Sequence, residues 1–206
     1  RSLHNAFATT LDLLTDEQRK VLTQLSVFRG GCTLELAQLV AGEPISLSDL
    51  SDLLDAALIR RETTKSGSRY WMLESLRDFV QSDPCAEAVL PDLRKSLLEH
   101  LSCLAEESRS LSVRPDLALH TELDWIEFLD DEWENFTAAI QLALRLGELG
   151  PAGKIIQLTD WHWVMRGRDA IVTKWLNELL VAHGERHGEP LDDLHEVAGG
   201  VIWRQQ

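Results

Sequence analysis

The sequence has no uninterrupted apolar segment near the roughly 18–20 residues that a membrane-spanning helix needs, and its start lacks the charged-then-apolar pattern of an export signal. Cysteine is also scarce. Cys32, Cys85 and Cys103 are odd in number, widely spaced and without a CxxC motif, which favours neither a disulfide framework nor a structural zinc site. These absences predict a cytoplasmic protein with no membrane partner.

Basic side chains are in the minority. The chain carries 20 lysines and arginines against 34 acidic residues, for a net charge of −14. Residues 1–83 hold 9 basic and 12 acidic side chains, whereas residues 84–206 hold 11 and 22. Because an acidic surface repels phosphate backbones and anionic lipids, the composition disfavours nucleic acids and membrane surfaces as partners.

Apolar side chains are plentiful, at 44% of 206 residues, so a packed core is expected in one large domain or two small ones. Leucines at helical spacing predict four helices before residue 60. Their N-terminal caps are predicted at Thr15 with Gln18, at Thr33, and at Ser46 with Asp49.

The pattern then changes to two short β-capable runs, residues 59–64 and 69–72, and residues 65–68 between them predict the turn of a hairpin. Helical spacing returns from Leu73 to Val80. Helices followed by a small hairpin are the plan of a winged helix, which is a variant of the helix-turn-helix. Asp83-Pro84 breaks the pattern, so we predict a winged-helix domain over residues 1–83.

Residues 84–206 are predicted to be helical throughout. Amphipathic helices separated by glycine-rich turns every 15–20 residues indicate stacked helical hairpins of a superhelix like that of tetratricopeptide repeats (TPR). The fold class is therefore mainly α, and the chain is expected to be part of a longer protein, with its repeat domain truncated at the C-terminal end. The predicted helices lie near 87–110, 120–129, 131–147, 151–166, 169–185 and from 190 onward.

Five motifs occur in order: "LTDEQRKVLTQLSVFRGGCTLELAQLVAG", "LSDLLDAALIRRE", "RYWMLESLRDFV", "LRKSLLEHLSCLAEE" and "EWENFTAAIQLALRLG". Together with "WHWVMRGRDAIVTKWLNELL", they resemble the winged-helix domain and first helical repeats of STAND-class signalling NTPases, in particular the bacterial LuxR-type and antibiotic-regulator branch. The resemblance covers nearly the whole chain.

The resemblance implies a bacterial transcriptional regulator with an upstream nucleotide-binding module that uses ATP or ADP, and with a repeat array that senses a protein or small-molecule inducer. The chain contains no GxxxxGK[ST] motif, so we expect no cofactor and no catalysis within it. Its expected role is signal transduction by protein–protein interaction, coupling the nucleotide-binding module of the same protein to the repeats.

The resemblance also points to the junction at Met72, Leu73, Glu74 and Arg77. In related plant disease-resistance proteins a Met-His-Asp run at this point contacts the nucleotide's phosphate through its histidine. Leu73 replaces that histidine and lacks a donor. We therefore expect Leu73 to be buried in the domain, while Glu74 and Arg77 share a solvent-exposed face toward the upstream module.

A free-standing DNA-binding winged-helix factor is the alternative. Its recognition helix would be "SLSDLSDLLDAALIRR", in which Asp49, Asp52 and Asp55 precede Arg60 and Arg61. Major-groove readers present Arg, Lys, Asn or Gln, so these carboxylates disfavour DNA binding.

Neither a metal site nor an enzyme active site is predicted. His183 and His187 have the i, i+4 spacing of zinc ligands, but glycines interrupt the run and only the distant His195 could be a third ligand, so a solvated helix end is favoured. The acidic residues of 124–136 alternate with aromatic ones, as on the wet side of a helix pair, and no nucleophile accompanies them.

Trp161, Trp163 and Trp175 lie in adjacent predicted helices. They either wedge between helices as core residues or line a concave surface for a peptide or small inducer. Helical spacing alone does not separate the two, although the wedge is favoured for all three and Trp175 in particular is expected to be a structural residue.

Overall fold

In the computed structural model, the described residues are 2–64, 67–111, 114–117 and 119–187, and their side chains are described except for residues 2–4 and 183–187. The described chain is mainly helical with a small three-stranded antiparallel sheet, so the predicted mainly α class is confirmed. Two compact units are present. Unit 1 is Arg1–Leu97 with Pro115–Ala118, and unit 2 is Leu98–Arg114 with Leu119–Gln206.

In unit 1, short helices are interspersed along the chain with the three strands of a small sheet. The strands of this sheet lie in the order Cys32–Thr33, Gly67–Trp71, Arg60–Thr64, with Cys32 opposite Tyr70 at one edge and Thr64 opposite Gly67 beside the hairpin turn. The predicted hairpin is confirmed, although its turn residues Lys65 and Ser66 lie outside the described residues. In chain order the elements are α1 (Ser2–Asp12), α2 (Asp16–Leu25), β1 (Cys32–Thr33), α3 (Leu34–Ala41), α4 (Leu47–Asp55), β2 (Arg60–Thr64), β3 (Gly67–Trp71) and α5 (Glu74–Gln81).

The helix starts of unit 1 follow the predicted caps. The Thr15 hydroxyl accepts from the Gln18 amide nitrogen at 3.2 Å, and the Gln18 side chain accepts from the Thr15 amide at 3.0 Å, which completes a capping box. Thr33 caps α3 in the same way, and Gly42 ends that helix in the left-handed conformation with φ +71°. Local side-chain chemistry therefore sets these boundaries.

Asp83-Pro84, the break in the sequence pattern, is the start of a long helix, α6 (Pro84–Ser110). The Asp83 carboxylate accepts from the Cys85 amide nitrogen at 2.8 Å, and proline is well suited to the first position of a helix because that amide hydrogen has no partner there anyway. The division between the units falls later, between Leu97 and Leu98 within α6.

The core of unit 1 is formed by one apolar face from each helix. Phe28 and Leu36 are almost fully buried, as are side chains from α2, α4 and α5. The sequence pattern predicts apolar positions for most of these, but not for Leu36. The most buried members are Leu22, Phe28, Leu36, Leu50, Leu53 and Leu76.

Unit 2 consists of helices that pack on their chain neighbours. The second part of α6 is followed by α7 (Glu122–Asp131), α8 (Trp133–Leu146), α9 (Leu149–Met165) and α10 (Asp169–His187). α7 contacts α8, α8 contacts α9, and α9 contacts α10. The predicted positions of these helices are close to the observed ones, and the helix predicted from residue 190 lies outside the described residues. None of the helices described has the length and apolar character that crossing a bilayer requires.

Candidate functional site

The junction between β3 and α5 is built on a buried methionine. Met72 leaves the strand with 7% of its surface exposed, and Leu73 follows with extended backbone (φ −60°, ψ 138°) at the N-cap of α5. Its side chain has no oxygen with which to cap the helix. Glu74 starts α5, where a carboxylate suits the positive end of the helix dipole.

Arg77 anchors this junction from inside the unit. Its side chain is buried, and its guanidinium donates to the carbonyl of Met72 at 3.2 Å and to the carbonyl of Arg29 at 3.0 Å. The expectation of an exposed face shared by Arg77 and Glu74 is therefore wrong. The physical reason is that backbone carbonyls in the loop after α2 need donors, and a guanidinium supplies several in a fixed plane.

A second arginine supports the same loop from the sheet. Arg69 on β3 is only 1% exposed and donates to the carbonyls of Gly30 and Gly31 at 3.0 and 2.9 Å. Gly31 has φ +67°, and a Cβ on it would stand 2.7 Å from the carbonyl oxygen of Tyr70 and 2.9 Å from the Trp71 ring. Only glycine lets the loop approach β3 this closely.

Leu73 itself is 59% exposed, so the prediction that it is buried is wrong. It is the N-cap residue and lies outside α5, and the 3.6-residue period therefore does not assign it to the face that Leu76 and Val80 bury. Glu74 beside it is also exposed. The junction thus presents an apolar and an acidic side chain to solvent, and Arg77 holds the backbone carbonyl of Met72 directly before them.

Two of the three singled-out tryptophans lie in the core of unit 2. Trp163 and Trp175 are 1% and 2% exposed, and their ring centroids are 5.6 Å apart. Trp133 joins them at 4.3 and 5.7 Å, and Arg168 covers its other side with the guanidinium carbon 4.0 Å from the ring centroid. The wedge interpretation is thus confirmed for Trp175, and neither Trp163 nor Trp175 offers an exposed surface. Trp161 is half-buried.

Unit 2 also contains a polar cluster of Asp130, His162 and Arg166. Asp130, near the end of α7, accepts from the Arg166 Nε at 2.9 Å and lies 3.1 Å from the Nε2 of His162, a fully buried side chain on α9. Burial lowers the pKa of His162 more than the nearby carboxylate raises it. Burial also acts to raise the pKa of Asp130, but hydrogen bonds from Arg166 and the attraction of His162 outweigh it and hold that pKa below its usual range.

This cluster holds α7 against the end of α9. Because the His162 ring is fully buried, it does not reach a substrate in solvent, and the arrangement is a structural one. Sequence reasoning missed it. His162 and Arg166 are one helical turn apart, which is a weak signal, but nothing in the sequence indicates that Asp130 lies opposite them.

The side chains of His183 and His187 and all of His195 lie outside the described residues. Within the described part of the chain, no group of three or more histidine, cysteine, aspartate or glutamate side chains is placed to hold a metal ion.

The charges on unit 1 bear on nucleic-acid binding. Asp52 and Asp55 are exposed on α4, and Asp52 accepts from Gln18 at 2.8 Å. The hairpin exposes Arg60 and Arg61, but Arg60 pairs with Glu62 at 3.4 Å. The helix that would enter the major groove of DNA therefore carries exposed carboxylates.

No protein-family model matches the chain, and neither a curated protein nor a solved structure is significantly similar to it.

Proposed function

We propose that the chain is the winged-helix domain and the first TPR-like repeats of a STAND-class signalling ATPase that regulates transcription. In this proposal it transmits the state of an upstream nucleotide-binding module, which uses ATP or ADP, to a repeat array that binds a protein or small-molecule inducer. In this proposal the chain has a regulatory role, which it performs through contacts between domains in the cytoplasm of a bacterium.

The arrangement of unit 1 is the observation that carries the proposal. A helix, a short strand, two helices and a hairpin follow one another, and the first strand pairs with the last, in the order β1-β3-β2. A winged helix has this order. The sequential packing of α7 to α10 supports the repeat part of the proposal, because tetratricopeptide-type arrays are built from helices that contact their chain neighbours.

The junction supports a role in coupling. Leu73 and Glu74 are exposed, yet Arg77 fixes the backbone next to them through the Met72 carbonyl, and Arg69 braces the loop after α2 that Arg77 also holds. A side chain on a rigid support transmits a displacement better than one on a mobile loop, because little of the movement is absorbed locally. We therefore assign Leu73 and Glu74 to the contact with the nucleotide-binding module.

A free-standing DNA-binding factor has less support. Its best argument is the exposed pair Arg60 and Arg61 on the hairpin. Against it stand the carboxylates of α4, which would meet DNA phosphates with repulsion instead of releasing counterions.

The experiment compares Leu73→Asp and Glu74→Lys in an intact protein that includes the proposed nucleotide-binding module and in the isolated chain. Both residues are exposed, so the isolated chain should stay folded and lose at most about 1–2 kcal/mol, the cost of a charge reversal at the start of α5. The intact protein should change its basal ATP hydrolysis and its transcriptional output. Asp55→Lys, an exposed charge reversal on α4, is the control. The proposal is contradicted if the intact protein binds no ATP, or if neither variant changes its ATP hydrolysis and its transcriptional output.

A further inference from the structure

Unit 1 contains a groove of about 510 Å³ between α2 and the start of α6. Its floor is apolar, because Leu22, Val80 and Ala86 line it and are nearly fully buried. Val89 is 47% exposed on one wall, where it faces the opening. A cavity of this volume with an apolar floor is of the size that holds a drug-sized molecule, about 300–1,000 Å³.

The rim of the groove is acidic. Asp16, Asp83 and Asp92 contribute carboxylates from α2, from the residue before α6 and from α6. None of the three forms an ion pair with a lysine or arginine among the residues that the structure describes. A cation held near the rim would meet these charges without having to displace a basic side chain.

The basic side chains of the rim are already engaged. Lys20 pairs with Glu43 at 2.8 Å, which lowers the pKa of the Glu43 carboxyl, and Gln24 donates to the other oxygen of Glu43 at 2.5 Å. Arg19 pairs with Asp12 at 3.4 Å. The charges that remain for a ligand are therefore negative.

We propose that this groove binds a small amphipathic cation, namely an apolar body of drug size that carries a protonated amine. The apolar body lies on the floor formed by Leu22, Val80 and Ala86, and the amine lies at the rim near Asp16, Asp83 and Asp92. Charge complementarity selects the cation over a neutral or anionic molecule with the same apolar body. This inference is independent of the function proposed above.

The chain carries a natural reporter of this groove. Cys85 is exposed and lines it, whereas Cys103 is exposed in unit 2 and Cys32 is buried. A molecule bound in the groove covers the Cys85 thiol and slows its reaction with N-ethylmaleimide. Cys103 in the same sample records any general effect of the added compound.

The probes are three molecules with the same apolar body: phenylbutylamine, phenylbutyrate and phenylbutanol, with the ring and the polar group at opposite ends of the butyl chain. Each is added to the whole chain at about 1 mM, a concentration that fills half of a site of millimolar affinity. The rates of modification at Cys85 and Cys103 are measured at neutral pH by mass spectrometry of the digested protein.

Phenylbutylamine should slow the modification of Cys85 up to about twofold at half-occupancy and more at higher concentration, with no change at Cys103. Phenylbutyrate and phenylbutanol should protect Cys85 several times less. Equal protection by all three compounds would show a groove without preference for cations, and no protection by the amine would show that none is bound. Either outcome overturns the proposal.

Substitution of one rim carboxylate tests the same point. Asp92→Asn on the exposed side of α6 should weaken the apparent affinity for phenylbutylamine about two- to fivefold, the range expected for one exposed ion pair. Asp78→Asn removes the same charge from an exposed position of α5 outside the groove and should leave the affinity unchanged. Equal effects of the two variants, or none from Asp92→Asn, contradict the assignment of the rim.

Discussion

The guanidinium of Arg77 donates a hydrogen bond to the carbonyl of Met72 at 3.2 Å, and so ties α5 back to the end of the strand that leads into it. A second bond from the same group to the Arg29 carbonyl at 3.0 Å reaches the loop after α2. One buried side chain thus joins three segments of unit 1. Its role is in the stability of the unit, whereas the neighbouring Leu73 and Glu74 are available to a partner.

Replacing Arg77 should therefore destabilise the isolated chain. Arg77→Ala leaves two carbonyls without this donor and should cost about 2–4 kcal/mol, and Arg77→Glu should cost more because it buries a carboxylate. The free energy of unfolding is measured by urea titration followed by circular dichroism. Glu74→Gln, an exposed change on the same helix, should stay within about 0.5–1 kcal/mol. An unchanged midpoint for Arg77→Glu would show that the side chain is not held inside the unit.

Two glycines with almost the same backbone conformation allow a matched test of the loop after α2. Gly31 and Gly42 have φ +67° and +71°, but only Gly31 would bring a Cβ within 2.7 Å of the Tyr70 carbonyl, whereas a Cβ at Gly42 meets nothing within 4 Å. Gly42→Ala should cost about 1–2 kcal/mol, the backbone penalty alone. Gly31→Ala should cost clearly more, because the loop must also move away from β3. Equal losses of unfolding free energy for the two variants in urea titrations would contradict the close approach of Gly31 to β3.

The sequence predicted the elements of unit 1 well wherever a local signal decides the structure. Thr15 with Gln18 and Thr33 with the Leu36 amide fix helix starts through groups three residues apart, and Gly42 ends α3 by adopting the left-handed conformation. The two-residue strand β1 was missed, because Cys32 and Thr33 are too few to show a period and pair with β3 far along the chain.

The candidate site was predicted less well. The position of the junction was found, but the roles of its residues were exchanged: Leu73 is exposed and Arg77 is buried. Apolar residues were expected inside and charged ones outside. Arg77 reverses that rule because its partner, the Arg29 carbonyl, comes from a distant segment of the chain and leaves no local signal.

Trp175 should prove to be a structural residue of unit 2. It is 2% exposed and packs on Trp163 and Trp133, so Trp175→Ala should cost about 3–5 kcal/mol. Far-ultraviolet circular dichroism is the measurement, since the substitution itself alters the fluorescence. Trp161→Ala removes a half-buried ring from α9 and should cost less. If both variants have the melting temperature of the unchanged protein, the ring of Trp175 is exposed. The interpretation of the tryptophans as a surface for an inducer would then be favoured.

The chain should not bind duplex DNA in a salt-dependent way. Carboxylates occupy the exposed side of α4, and the net charge of the chain is −14. Fluorescence anisotropy with a labelled duplex at about 0.15 M salt should therefore show no binding at micromolar protein. Micromolar affinity that falls steeply as salt is added would overturn this prediction and favour the DNA-binding alternative.

The last prediction concerns the pH dependence that His162 imposes on stability. Burial holds its pKa in the folded chain below the ordinary 6.5, so in the pH range just below 6.5 the unfolded chain binds a proton that the folded chain does not. Stability therefore rises with pH through this range, and the contribution is complete above 6.5 and lost as the pH falls toward the folded value. The slope from one such group is at most about 1.4 kcal/mol per pH unit.

Asp130, Arg166 and Arg168 act on the same ring, and of these only Asp130 titrates in acid. The pKa of Asp130 is lowered from 3.8 in the folded chain, so its contribution to the free energy of unfolding is lost only below about pH 3.8. This range does not overlap the pH range in which His162 acts. The test is urea titration between pH 7.5 and 5, in which His162→Gln should reduce the slope relative to the unchanged protein. His120→Gln, on a residue that is exposed, should leave the slope nearly unchanged. If His162→Gln keeps the full slope, the buried ring does not govern the pH dependence.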